Sequence, residues 1–187
     1  MRKHPLANCP ECPLAKKDCA PTAGPADAKV ALVSRSPGFH DAQAGRPFAG
    51  PSGQVLDHLL GLYNVQRSDI LTTNVVLCET DSPPLKAIEC CKPRLEAEIA
   101  SADTIIAAGA EAARLLSGFG SIDAQRGFVK DRVSNTNGRI KLQRVIVTNN
   151  PAVVLRESDT FPNLVNDFKL ALDPPSTPKD PTVTIVD

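Results

Sequence analysis

Six cysteines stand in this 187-residue chain, and two of them, Cys9 and Cys12, are spaced Cys-x-x-Cys. At that spacing two thiolates face one metal centre from a short turn. Two more ligands are needed, and Cys78, at the end of an apolar run, and Cys91, on the segment after it, can supply them. Cys19 and Cys90 are then left over. The residues alone leave three readings open: a four-thiolate zinc site, a [4Fe-4S] cluster, or plain buried thiols. Met1-Arg2-Lys3-His4-Pro5 runs into Cys9 with no apolar stretch behind it. A reducing, cytoplasmic setting is therefore expected, and a disulfide framework is not.

The elements that must carry these residues follow from periodicity. Residues 29–33 are an almost continuous apolar run, as a strand covered on both faces requires. A turn-rich loop, 34–38, leads to a helix over 53–62. Residues 69–78 read as a second strand, 86–101 as a helix presenting Ile88, Cys91, Leu95 and Ile99 inward, and 104–107 as a third strand. A short helix over 111–116 follows Gly109. Residues 125–133 and 139–141 suggest a hairpin about Asn137-Gly138. Residues 145–148 read as a fourth buried strand, 152–156 as the start of a helix, and 163–172 as the last helix.

Strands alternating with helices imply an α/β fold, a three-layer α/β/α sandwich around a mainly parallel four-stranded sheet, with ligands at the carboxyl ends of the strands. With 42% hydrophobic residues, one core and one domain over residues 1–173 are expected, and the Pro-rich residues 174–187 are read as a disordered tail. Lys and Arg number 21, as do Asp and Glu, so no global field draws the chain to a polyanion and any nucleic-acid contact must be local. No stretch approaches the length of a membrane span, and no obligate protein partner is expected.

Residues 32–57 contain Pro37-Gly38 and then Gly45-Arg46-Pro47-Phe48-Ala49-Gly50. This run resembles, without a gap, the first motif of the iron-sulfur, family 4 uracil-DNA glycosylases. The Cys9–Cys12 pair, Thr73-Asn74-Val75-Val76 ending at Cys78, Cys91 followed by Leu95, Arg126-Gly127, and Asn150-Pro151-Ala152-Val153-Val154-Leu155-Arg156 resemble later parts of that pattern in order. The resemblance covers nearly all of residues 9–172. It implies a uracil-DNA glycosylase-like fold, DNA as partner, and a structural [4Fe-4S] cluster held by Cys9, Cys12, Cys78 and Cys91.

The resemblance also implies roles, and each has a physical basis. A glycosylase takes its nucleotide out of the stack, reads the base edge and stabilises charge as the sugar–base bond breaks. Phe48 can stack on the extruded base. Asn74, carrying both an amide donor and a carbonyl acceptor, can pair with a pyrimidine edge. Arg35, Ser36, Gly38 and His40 complete the base-binding set. Arg46, Ser52 and Arg156 fall where DNA contacts lie, and Pro151, Val153 and Leu155 belong to a loop that wedges into the duplex.

Three positions depart from the pattern. Arg35 stands where the family has Glu, Ser34 where it has Gly, and Asn150 where it has His. An anion able to orient water has become a cation, and an imidazole a neutral amide. Asp41 is the remaining carboxylate placed to activate water or stabilise an oxocarbenium ion, and Asn150 can still donate to a base oxygen or nitrogen. The expected activity is thus hydrolysis of the N-glycosidic bond of a pyrimidine other than plain uracil, such as the modified bases of some phage genomes. A relative that has lost catalysis and only binds DNA or an altered base is the competing expectation, and an unrelated zinc protein a third.

Overall fold

The computed structural model describes residues 4–118, 125–136 and 138–172. Five strands form one sheet: β1 (Val30–Ser34), β2 (Leu71–Asn74), β3 (Thr104–Ala108), β4 (Val129–Thr136) and β5 (Arg139–Thr148). Their order is β2-β1-β3-β5-β4; every neighbouring pair is parallel except β4 with β5. Five α-helices accompany them: α1 (Phe39–Ala44), α2 (Pro51–Gly61), α3 (Leu85–Glu98), α4 (Ala110–Ser117) and α5 (Phe161–Leu172). Single 3-10 turns lie at Cys9–Glu11, Arg67–Asp69, Pro151–Leu155 and Ser158–Thr160.

The period of two along the strands divides the core into two sides. Ala31, Val33, Ile105, Ala107 and Val145 face Leu95 of α3 and Ala112 and Leu116 of α4. Leu32, Ile106, Ala108 and Ile146 face Leu56, Leu59 and Leu60 of α2 and Leu164 and Phe168 of α5. Each central strand is therefore apolar on both faces, which is why the strands read as unbroken runs. The result is the expected three-layer α/β/α arrangement.

The sheet has five strands rather than the expected four. The hairpin exists, but its second arm does not stop at residue 141; it runs on into the buried strand, so that β5 is continuous from Arg139 to Thr148. The polar pair Gln143-Arg144 masked this in the sequence. Gln143 is nonetheless fully buried, because its Nε2 donates to the carbonyls of Ile99 and Ala102, both at 2.8 Å. A buried amide whose donor side is paired in this way can sit mid-strand without a break, although its Oε1 has no hydrogen-bond partner among the described residues.

Other bounds shift for similar reasons. The second strand ends at Asn74, four residues before Cys78, which pairs with Cys19 in an isolated bridge. Residues 39–44, between the expected loop and the expected helix, form α1. Residues 152–155 lie in a 3-10 turn rather than an α-helix, and Arg156 caps its end. Asn137 and the tail from residue 174 lie outside the described residues. Among the described residues no helix is long and apolar enough to cross a membrane.

Candidate functional site

The chain runs from β1 to β2 on one side of the sheet and on to β3 on the other, so the carboxyl ends of β1 and β3 diverge into a crevice. A cleft of about 680 Å³ opens there, floored by Ser34, Asn74, Ala108 and Asn150 at or just beyond the ends of β1, β2, β3 and β5. Of the residues expected in the site, Arg35, Ser36, Gly38, His40, Asp41 and Phe48 line it, as do Ser52, Val153, Leu155 and Arg156. Arg46 and Pro151 do not. Arg46 is exposed beyond the end of α1, and Pro151 is buried at the start of its turn.

Asn74 is 2% exposed, and its Nδ2 is a buried donor without a hydrogen-bond partner. Leaving such a group unpaired costs about 1–3 kcal/mol. Its backbone is held rigidly all the same. The side chain of Arg94, entirely buried on α3, donates from Nη2 to the carbonyls of Asn74 (2.7 Å) and Val75 (2.9 Å). From Nη1 it donates to Thr73 Oγ1 (2.9 Å) and Glu98 Oε2 (2.8 Å). Thr22 Oγ1 also donates to Glu98 Oε2, at 2.7 Å. This network, unseen from sequence, fixes the strand end that carries Asn74. Its one signal is an Arg and a Glu four residues apart on a helix, a pattern normally belonging to a solvated face.

Phe48 joins the α2–α5 side of the core and also lines the cleft, with only 5% of its surface exposed. Its φ of 53° is left-handed, a strained conformation for an aromatic residue. Arg67 holds it there. Arg67 Nη2 donates to the Phe48 carbonyl (3.0 Å) and the Gly53 carbonyl (2.8 Å), Nε donates to Asp57 (2.7 Å), and the guanidinium lies 5.8 Å from the Phe48 ring centroid. Nothing in the local sequence singles out Arg67. Gly53 is the other half of the clamp, since a Cβ there would sit 1.9 Å from the Phe48 carbonyl oxygen. We expect Gly53→Ala to cost about 1–3 kcal/mol in a urea titration through forced overpacking.

Asp41, on the first turn of α1, accepts from the backbone N–H of Ala49 (2.8 Å) and, more distantly, of Gly38 (3.3 Å). It therefore cross-braces the two halves of the loop. His40 packs its ring against Phe39 edge-on and against Gly50. Arg35 is half-buried, and among the described residues no carboxylate forms an ion pair with it. Arg156 adds a second cation and Glu111 a further anion to the cleft wall.

Two of the three departures from the family pattern touch each other. Asn150 Nδ2 donates to Ser34 Oγ at 2.6 Å, while its Oδ1 accepts from Ala152 N–H at 2.9 Å and caps the turn that carries Val153 and Leu155. At the root of that strand end, Thr148 donates to the buried Asp167 of α5 at 2.8 Å. Burial raises the Asp167 carboxyl above the usual range, with Thr148 and Arg126 opposing.

On the opposite side of the sheet from α2, beside α3, a second and much smaller apolar cavity is lined by Cys9, Cys12, Cys78, Cys90 and Cys91, with Ala7, Ala15 and Leu77. All five cysteines are buried; Cys19 is half-buried and lies outside the lining. Burial, followed by the neighbouring Cys91, Cys90 and Cys9, pushes the Cys12 thiol up, against a backbone hydrogen bond at Leu14. An all-sulfur donor set in a dry pocket suits a soft metal group. Among the described residues, no three Cys, His, Asp or Glu side chains stand close enough to share a single ion.

Comparison with known proteins agrees with this geometry. A family model described as the uracil DNA glycosylase superfamily matches residues 21–172. The chain is 35% identical over 162 residues to a type-4 uracil-DNA glycosylase of Pyrobaculum aerophilum, covering 81% of this chain and 82% of that protein. It is 31% identical over 160 residues to the type-4 enzyme of Thermotoga maritima, at 81% and 80% coverage. To that of Archaeoglobus fulgidus it is 26% identical over 172 residues, at 88% and 86%.

Proposed function

The chain belongs to the uracil DNA glycosylase superfamily, and from that premise we propose that it is a DNA glycosylase, hydrolysing the N-glycosidic bond of a flipped-out pyrimidine that carries a modification. The observation carrying this reading is the buried, unpartnered Nδ2 of Asn74 on the floor of a cleft at the strand ends. A donor left unpaired inside a protein is stabilised when a ligand supplies the acceptor. A pyrimidine carbonyl does so.

In this reading the base leaves the stack and enters the cleft, where Phe48 covers one face and Asn74 reads its edge. Arg35, Ser36, Gly38 and His40 line the remainder of the base site. Val153 and Leu155, projecting from the 3-10 turn, occupy the space the base vacates, and Arg46, Ser52 and Arg156 contact the backbone. Pro151 acts beneath them by starting the turn. Asp41 has spent one acceptor site on each oxygen; an ionised carboxylate has about four, so it retains capacity to orient water or face a cationic sugar. Asn150 donates to the departing base. Arg35, standing where the family has Glu and in no ion pair among the described residues, can take an acceptor-rich substituent, which supports a modified base over plain uracil.

Cys9, Cys12, Cys78 and Cys91 would hold a [4Fe-4S] cluster. Fully ligated by protein, such a cluster has no open position for chemistry and ties the N-terminal segment to α3. Absorbance in the visible and iron-to-zinc stoichiometry of the purified protein test this. A colourless protein with one zinc would sink it.

The activity test is incubation of the purified chain with DNA containing unmodified and modified pyrimidines, scoring abasic sites. Release from at least one modified DNA is expected, with Asp41→Asn lowering the rate by about 10²–10⁴-fold while DNA binding persists. Tight binding with no release from any substrate would favour the non-catalytic reading, to which the two backbone hydrogen bonds of Asp41 also lend themselves.

A further inference from the structure

An asparagine side chain is ordinarily ambivalent, able to offer either a donor or an acceptor to whatever it meets. Asn150 has lost that freedom. Its Oδ1 accepts from the main-chain N–H of Ala152 at 2.9 Å. That N–H can only donate, so the flipped amide would bring donor against donor. On its other side Nδ2 donates to Ser34 Oγ at 2.6 Å. Ser34 is itself immobile: it is the last residue of β1, 3% exposed, paired in register with Asn74, and its carbonyl accepts from Val75 N–H at 2.8 Å. One Nδ2 hydrogen remains, on a residue that lines the cleft.

We propose that Asn150 is a donor-only contact, its amide orientation fixed by the Ala152 N–H and its remaining Nδ2 hydrogen aimed by Ser34 as a positioning residue, so that the bound base must present an acceptor, a carbonyl oxygen or unprotonated ring nitrogen, and not an amino group, at that point. The inference rests on the glycosylase reading for its substrate and adds to it a residue and a constraint. Two segments 116 positions apart in sequence meet in this one bond, which also couples the base-side loop after β1 to the turn bearing Val153 and Leu155. Because the amide is fixed before any base arrives, no reorganisation is required when charge develops on the base.

The test uses the full chain and its best modified-DNA substrate, comparing wild type with Ser34→Ala, Ser34→Thr, Asn150→Ala, Asn150→Asp and the double variant Ser34→Ala/Asn150→Ala. Ser34→Ala should lower kcat by about tenfold, the worth of one oriented hydrogen bond, with KM within about twofold. Ser34→Thr, which returns the hydroxyl, should restore it. The double variant should be no slower than Asn150→Ala alone, and Asn150→Asp, offering acceptors only, should lose at least as much as Asn150→Ala. Additive losses, or a Ser34→Ala defect confined to KM or to thermal stability, would overturn the proposal. Should wild type release no base at all, the glycosylase reading fails by itself, and the role of Ser34 is then read by NMR. The Asn150 side-chain NH₂ should show two separated proton resonances in wild type that shift toward those of a solvent-exposed amide in Ser34→Ala; resonances unmoved by the substitution count against it.

Discussion

Asn74→Ala should reduce kcat/KM for base release by on the order of 10²–10³-fold, the usual cost of deleting one preorganised donor in an active site, while leaving the melting temperature unchanged or slightly raised. The two effects oppose because they come from the same atom. In the free protein the Asn74 Nδ2 is buried without a partner, so removing it relieves a cost; in the proposed complex it is the donor that would read the base. Abasic-site formation measured beside a thermal melt checks both. A loss of stability matching the loss of activity would show instead that Asn74 is a structural residue. Asn74→Asp is the sharper companion, since it keeps the shape and replaces donors with acceptors. It should be at least as inactive as the alanine variant.

Arg94→Met should destabilise the fold by about 3–5 kcal/mol in urea denaturation, the range for removing one partner from a buried ion pair. Four acceptors each lose one donor together, Glu98, Thr73, and the carbonyls of Asn74 and Val75, and Glu98 keeps only the neutral hydroxyls of Thr22 and Thr73 as hydrogen-bond donors among those the structure shows. The Arg94 side chain is fully buried and that of Glu98 is 12% exposed, so water can only partly replace it. Glu98→Gln, which keeps a hydrogen-bonding oxygen, should cost much less. The pair Arg94→Met/Glu98→Leu should be less damaging than the sum of its parts, because no charge is then stranded. Since α3 also carries Cys90 and Cys91 into the thiol cavity, iron content after purification should fall with Arg94→Met as well.

These two expectations concern the same strand end from opposite sides. Asn74 faces the cleft and Arg94 grips it from behind, and Cys78, four residues on, ties the chain into the thiol cavity. The cysteine cavity and the cleft thus share one backbone segment. A structural role for a cluster, with no redox step, is consistent with that arrangement.

Much of this protein was legible in its residues. Central strands buried on both faces appear as apolar runs, so the α/β order and the sheet's carboxyl-end cleft followed from periodicity and chain direction. Sequence separated the tail of β5 from its hairpin arm because Gln143 and Arg144 interrupt the apolar pattern, and only packing reveals that Gln143 finds two carbonyls just past the end of α3. Helix α1 escaped notice because it is six residues long with no buried face.

The cleft residues were legible by type and motif: Asp41, Phe48, Asn74 and Asn150 were identified in the linear chain, and all line one cleft. What holds them was not. Arg67 reaches back 19 residues to Phe48, Arg94 reaches 20 to Asn74, and Asn150 meets Ser34 across 116. Local sequence reports which groups can do chemistry, because residue type and short spacing are properties of the chain itself. Orientation is different: an arginine bound for solvent and one destined to grip a buried carbonyl have identical local signatures, and the distinction arises only when strands and helices distant in sequence pack and leave polar groups that must be satisfied.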